Sequence, residues 1–163
     1  MPIWCTAQIS KEKEKEREHL LDVAREVIEA AGNCALISLD SLGKARTRTM
    51  DPFLPDKDFV IWFGTNPASR KVAQIRHNPD VTLYYFDKPT SSYVVISGKA
   101  IIIDTPSEKA LHWKKKWQAF YPHYPQGYSL IKVIPQWLEI SSESSGIRSN
   151  PVTWQPPRVV FER

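Results

Sequence analysis

The apolar residues of this chain change period at Gly32-Asn33, and that switch limits the fold more than any other feature. Upstream, Leu20, Ala24, Val27, Ile28 and Ala31 recur as one helical stripe. Before them, Lys11 to Glu18 nearly alternates Lys or Arg with Glu, which reads as a solvated helix start. Gly32-Asn33 supplies a left-handed stop, so an amphipathic helix is expected over about 11–32. Downstream the period is two. Cys34 to Leu39 reads as a strand, Asp40 to Gly43 as a tight turn, and Lys44 to Met50 as the antiparallel partner. Further strands are expected at Phe59–Phe63, Val81–Phe86 and Tyr93–Asp104, the last with a bulge or bend at Gly98. Tyr128–Ile140 completes the set, with Pro135 arguing for an edge or kinked position. Pro67–His77 predicts a short helix stopped by Asn78-Pro79. Thr105 to Glu108 has the form of a capping box with proline at the first helical position, opening a helix to about Ala119. In the tail, 142–163, Val152–Trp154 and Val159–Phe161 are short strand candidates.

At least six strands, joined mostly by short turns with helices inserted at three places, predict a mainly β fold: a closed antiparallel β-barrel over about 33–141 with peripheral helices. Helices do not alternate with strands, which disfavours a doubly wound parallel sheet. Hydrophobic residues make up 42% and charged residues 25% of the chain, the balance of one globular domain spanning 1–163. No stretch approaches the roughly 18 consecutive apolar residues of a membrane span. Met1 to Ile9 lacks the basic flank and apolar core of a signal peptide. A cytoplasmic protein without a membrane partner is therefore expected. The two cysteines, Cys5 and Cys34, lie far apart in no metal-ligand spacing and are expected to be reduced. The four histidines show no pairing at i,i+3 or i,i+4, so no metal site is expected.

The net charge of +4 leaves room for an anionic partner without choosing one. The most informative segment is Thr65-Asn66-Pro67-Ala68-Ser69-Arg70-Lys71, where a strand ends and a helix begins. Asn66 suits the N-cap and Pro67 the first helical position, yet Arg70 and Lys71 place cations where the helix dipole is already positive. An anion held by free N–H groups, the hydroxyls of Thr65 and Ser69 and the two side chains resolves that conflict. Arg46 and Arg48, two apart on a strand, share a face and are expected to converge on the same site. Solvated cations at an exposed helix start and strand face are the simpler alternative. Trp113 to Tyr121 mixes lysines with aromatics as a single-strand nucleic-acid surface does. A buried stripe through Trp113 and Trp117 with a solvated basic back is the better account, and no nucleic-acid partner is expected. As an insertion in the barrel, this segment is also placed to cover a ligand.

The run Gly43-Lys44-Ala45-Arg46-Thr47-Arg48-Thr49-Met50, followed by Phe63-Gly64-Thr65-Asn66, Ser69-Arg70-Lys71 and Asn78-Pro79, resembles the pyridoxamine 5'-phosphate oxidase-like, flavin-binding split-barrel family, best its general stress protein branch. The resemblance implies a six-stranded antiparallel split β-barrel that forms a homodimer, with flavin mononucleotide (FMN) at each end of the subunit interface. By position it implies that Arg48, Ser69, Arg70 and Lys71 hold the phosphate. Thr49 and Met50 would lie along the flavin ring, Gly64 and Thr65 would contact the ring or ribityl chain, and Tyr93 stands near a further polar contact. The family's full oxidases carry a lysine five residues after the strand arginine, where this chain has Phe53, and Arg158 to Arg163 does not match their substrate-binding C-terminal segment. The implied function is an FMN-dependent oxidoreductase related to, but distinct from, pyridoxamine phosphate oxidase, with substrate and electron donor unassigned. A non-enzymatic protein of the stress response that binds or senses flavin or another anionic ligand is the alternative.

Overall fold

The computed structural model describes residues 3–162, with side chains of Gln8 and of Lys11 onward. Helix α1 runs Ile3–Ala31 and ends at Gly32, which adopts φ +70°. The charged run 11–18 thus lies inside the helix rather than at its start. Alternating charge puts opposite signs three residues apart but like signs four apart, so the two effects roughly offset, and Lys, Arg and Glu are good helix formers that let the helix run on. Strands follow at β1 (Cys34–Leu39), β2 (Ala45–Met50), β3 (Ile61–Thr65), β4 (Asp80–Asp87), β5 (Ser92–Ile103), β6 (Ser129–Ser141) and β7 (Arg158–Val160). All named pairings are antiparallel, in the order β2-β1-β4-β5-β6-β3, with the short β7 added to β6. Among the described residues β2 itself does not pair with β3, and the one link between these outer strands is the isolated bridge from Pro52, just past β2, to Phe63 of β3, where Phe53 N–H donates to Trp62 O at 2.8 Å. The sheet is therefore a split barrel, not the closed one that strand count suggests.

Two irregularities forecast by single residues have clear causes. At Gly98 the β5–β6 register shifts, and a Cβ there would fall 2.3 Å from Ile134 O. Pro135 lies in an interior strand, at the point where β6 leaves β3 (Ser129–Val133) and takes up β7 (Trp137–Glu139). On its other side it pairs with Gly98 of β5 at the register shift, so its missing N–H falls at an irregularity rather than in a regular stretch of ladder. Inside the barrel, Leu36, Leu83, Tyr85, Val94, Ile96, Ile131, Val133 and Leu138 meet Leu20, Ala24, Val27 and Ile28 of α1. Cys34 is free and buried in this core; the side chain of Cys5 lies outside the described residues.

Two helices differ from expectation. Helix α2 is Arg70–His77 and its N-cap is Ser69, not Asn66. Asn66 instead closes a turn, accepting from Ala68 N–H at 2.8 Å through its side chain and from Ser69 N–H at 3.0 Å through its carbonyl. Pro67 occupies that turn. Helix α3 spans only Pro106–Leu111, and a 3₁₀ turn follows at Lys115–Trp117. Thr105 sits at its N-cap without a side-chain capping bond. The helix stops because Tyr128 Oη donates to His112 O, while Trp113 enters an aromatic cluster and Lys114 reaches across to Asp51. In the tail, Val152–Trp154 is a turn rather than a strand. No helix among the described residues is long and apolar enough to cross a membrane.

Candidate functional site

Strand β2 and the opening of α2 bring three cations together. Arg48 lies on the half-buried face of β2, where its guanidinium donates to Ser38 Oγ at 2.7 Å, Leu36 O at 3.3 Å and Gln74 Oε1 at 2.9 Å. Ser38 Oγ donates in turn to Gln74 Oε1 at 2.7 Å. These partners belong to β1 and α2, so Arg48 is held across three elements. A guanidinium has five N–H donors, and the donors left over remain available to an anion. Lys71 Nζ donates to Thr65 Oγ1 at 3.2 Å and Ser69 Oγ at 3.4 Å, and the two hydroxyls stand 3.3 Å apart. Ser69 makes no capping bond, so its hydroxyl faces Lys71 while the first-turn N–H groups of α2 stay uncapped by it.

The electrostatics are those of charges brought together without a counter-ion. Burial and then the repulsion of Arg70 hold Arg48 below its ordinary pKa. Burial and then the charge of Arg48 do the same to Lys71. Among the described residues, no carboxylate forms an ion pair with Arg48, Arg70 or Lys71. A protein does not gain by packing three cations against one another; a bound dianion removes that cost. Arg46 does not join them. Its guanidinium is engaged by Asp40 of the hairpin turn, with Nη2 at 2.7 Å and Nε at 2.9 Å from Oδ2.

Beside this cradle opens a cleft of about 570 Å³, within the size range of small-molecule sites. One side is lined by Thr49, Met50, Gly64, Thr65 and Lys71, all expected site residues. The other is lined by Lys116, Trp117, Phe120 and Tyr121 of the insertion. Asp51 fastens that insertion, accepting from Lys114 Nζ at 2.7 Å, Lys116 Nζ at 2.9 Å and Trp117 Nε1 at 3.0 Å. Below them Trp117, Tyr128, Val60, Trp62 and Leu130 form a second core. Gly64 is what lets this core close on β3, because a Cβ there would lie 2.5 Å from Tyr128 Cε2 and 2.6 Å from Trp117 Cζ3.

The structure thus gathers Arg48, Ser69, Arg70 and Lys71 into one electropositive corner, with Thr49, Met50, Gly64 and Thr65 along the adjoining cleft. Tyr93 lies elsewhere, its ring 5.9 Å from that of Tyr84 and outside the cleft lining. Sequence reasoning missed Gln74 and Ser38, which orient Arg48, and Asp51, which fixes the insertion. Gln74 stands one helical turn beyond Arg70, a spacing that could have marked it as facing the same corner.

The chain belongs to the pyridoxamine 5'-phosphate oxidase-like family, whose model matches residues 6–139. Among solved structures it is similar to general stress protein 26 from Bacillus anthracis strain Sterne, at 22% identity and a TM-score of 0.68 over 87% of this chain and 98% of that one. A Clostridium acetobutylicum protein related to general stress protein 26 gives 16% identity and a TM-score of 0.72 over 89% and 96%. A pyridoxamine 5'-phosphate oxidase-related, FMN-binding protein from Nostoc punctiforme gives 13% and 0.63 over 100% and 98%. These likenesses establish the split-barrel fold. No curated protein sequence is significantly similar to the chain.

Proposed function

We propose that this protein binds FMN as a cytoplasmic homodimer and serves as an FMN-dependent oxidoreductase distinct from pyridoxamine phosphate oxidase. The observation that carries the reading is the corner of Arg48, Arg70 and Lys71, three converging cations with no carboxylate ion pair among the described residues. Such a corner fits a phosphate monoester, and the adjoining cleft has room for a ribityl chain and a planar ring system. In this reading Lys71, the hydroxyls of Thr65 and Ser69, and the free donors of Arg48 hold the phosphate. Thr49 and Met50 border the ring. A bound flavin supplies hydride or electron transfer, while the protein supplies position and electrostatics. Phe53 stands where the full oxidases of the family have lysine, which supports a different substrate.

Dimerisation is supported by the outer sheet face. Outward positions of a solvated antiparallel sheet are normally polar, yet here Tyr84 and Phe86 are 39% and 45% exposed and stack at 6.4 Å. Tyr93 and Val95 of β5 continue that face.

The test is direct. Freshly purified protein, denatured, is expected to release FMN in stoichiometric amount, and the apoprotein to rebind it. Replacing Arg48 or Lys71 with alanine should weaken FMN binding by about 1.5–3 kcal/mol each, the value of a charge-assisted contact, while riboflavin, which lacks the phosphate, loses far less. A colourless extract from protein that does not take up flavin overturns the reading. Bound flavin that nicotinamide donors never reduce moves the protein to the non-enzymatic class.

A further inference from the structure

The exposure of Phe120 sets it apart from the other aromatic rings of the insertion. The aromatic rings beside it in the insertion are covered: Trp117 is 7% exposed, and Tyr121 packs against Tyr128 with ring centroids 4.8 Å apart. Phe120 is 77% exposed, although it lines the same cleft as Lys71 and Thr65. Its backbone is not loose. Phe120 N–H donates to Trp117 O at 2.9 Å, and Tyr121 N–H to the same oxygen at 3.1 Å. Behind that turn the insertion is pinned by the three donors on Asp51 and by Lys109, whose buried Nζ donates to Pro125 O at 3.0 Å and pairs with Asp104 at 2.7 Å.

A large ring held facing solvent on an anchored turn loses hydrophobic burial and gains nothing in the ligand-free molecule. Opposite it across the cleft are the β2 end and β3, whose Thr49, Met50, Gly64 and Thr65 present small or flexible groups. We infer that the 114–121 insertion is the ring-recognition wall of this cleft, with the Phe120 side chain covering the planar end of a ligand whose phosphate sits at Arg48 and Lys71. The inference deepens the FMN reading and rests on it. It divides the work between two ends of the cleft. The cations recognise the phosphate, while Phe120 recognises an aromatic ring irrespective of charge.

That division makes the two readings separable. Dissociation constants are measured by calorimetry for FMN and riboflavin on wild type, Phe120→Ala, Phe120→Tyr and Lys71→Ala. Phe120→Ala should raise both constants by the same factor, about 3- to 10-fold for a lost aromatic contact, and Phe120→Tyr should restore both. Lys71→Ala should raise the FMN constant selectively. Because Phe120 is exposed, these changes do not threaten folding, and unchanged thermal unfolding of the ligand-free variants verifies it. Unaltered constants in Phe120→Ala, or an effect on FMN without one on riboflavin, overturn the wall while leaving the phosphate corner intact. Wild-type protein that binds neither flavin overturns both.

Discussion

Gly64 shows how one missing side chain ties structure to site. It has no room for a methyl group, since the ring atoms of Tyr128 and Trp117 already fill the space a Cβ would need. Gly64→Ala is expected to destabilise the ligand-free protein by about 1–3 kcal/mol, the usual cost of overpacking, and to displace the aromatic core that carries Phe120. Thermal denaturation tests this, and an unchanged midpoint would mean that the rings yield freely. At this scale the sequence was most legible where charge conflicts with local structure. Arg70 and Lys71 at a helix start advertise an anion without any tertiary information. Arg46 was misjudged because strand alternation gives the face of a side chain but not its reach, and Asp40 lies within that reach. Gln74 was missed because a neutral amide on a helix carries no such conflict, and only its spacing from Arg70 hints at the corner. Cys34 is silent for another reason: burial pushes its thiol up to about 12, so it stays protonated and unreactive at neutral pH.

Among the elements, the insertion between β5 and β6 departs furthest from its local signals. Thr105 at the N-cap and Pro106 start the helix where expected, though without the side-chain bond of a capping box, and propensity says nothing of the ring cluster and the Asp51 contacts that stop it at Leu111. Strands fared better, because alternation over five or more residues reports burial directly, as in the buried-intermediate alternation of β1. The Asp51 anchor has a pH consequence. Burial alone would raise its pKa, but hydrogen bonds from Lys114, Lys116 and Trp117 outweigh that and hold it below the ordinary value. A carboxylate with a depressed folded-state pKa adds stability that is fully present above its unfolded pKa, about 3.9, and is lost as pH falls through the folded value. The stability difference between wild type and Asp51→Asn, measured by denaturant melts, is therefore expected to stay constant from pH 7 to about pH 5 and to shrink below about pH 4. A difference that persists undiminished into strong acid would show that the ion pairs contribute nothing.

For the molecule as a whole, antiparallel order could be read from strand count and turns, whereas the split was legible only through the family resemblance. Whether a sheet closes depends on how its first and last strands meet, and no local pattern encodes that. The outer face invites a prediction at the same scale. If Tyr84 and Phe86 are covered by a second copy, replacing both with glutamate should turn a dimer into a monomer in sedimentation equilibrium, through desolvated like charges facing each other across the contact. A dimer that survives the double change must use another surface. The bridge at Pro52 and Phe63 has a mechanical side as well. A cylinder pinned at one place along its seam keeps its girth but not the width of its mouth. A molecule straddling β2 and β3 would act as a second rivet, leaving the loaded polypeptide stiffer than the empty one and harder to melt.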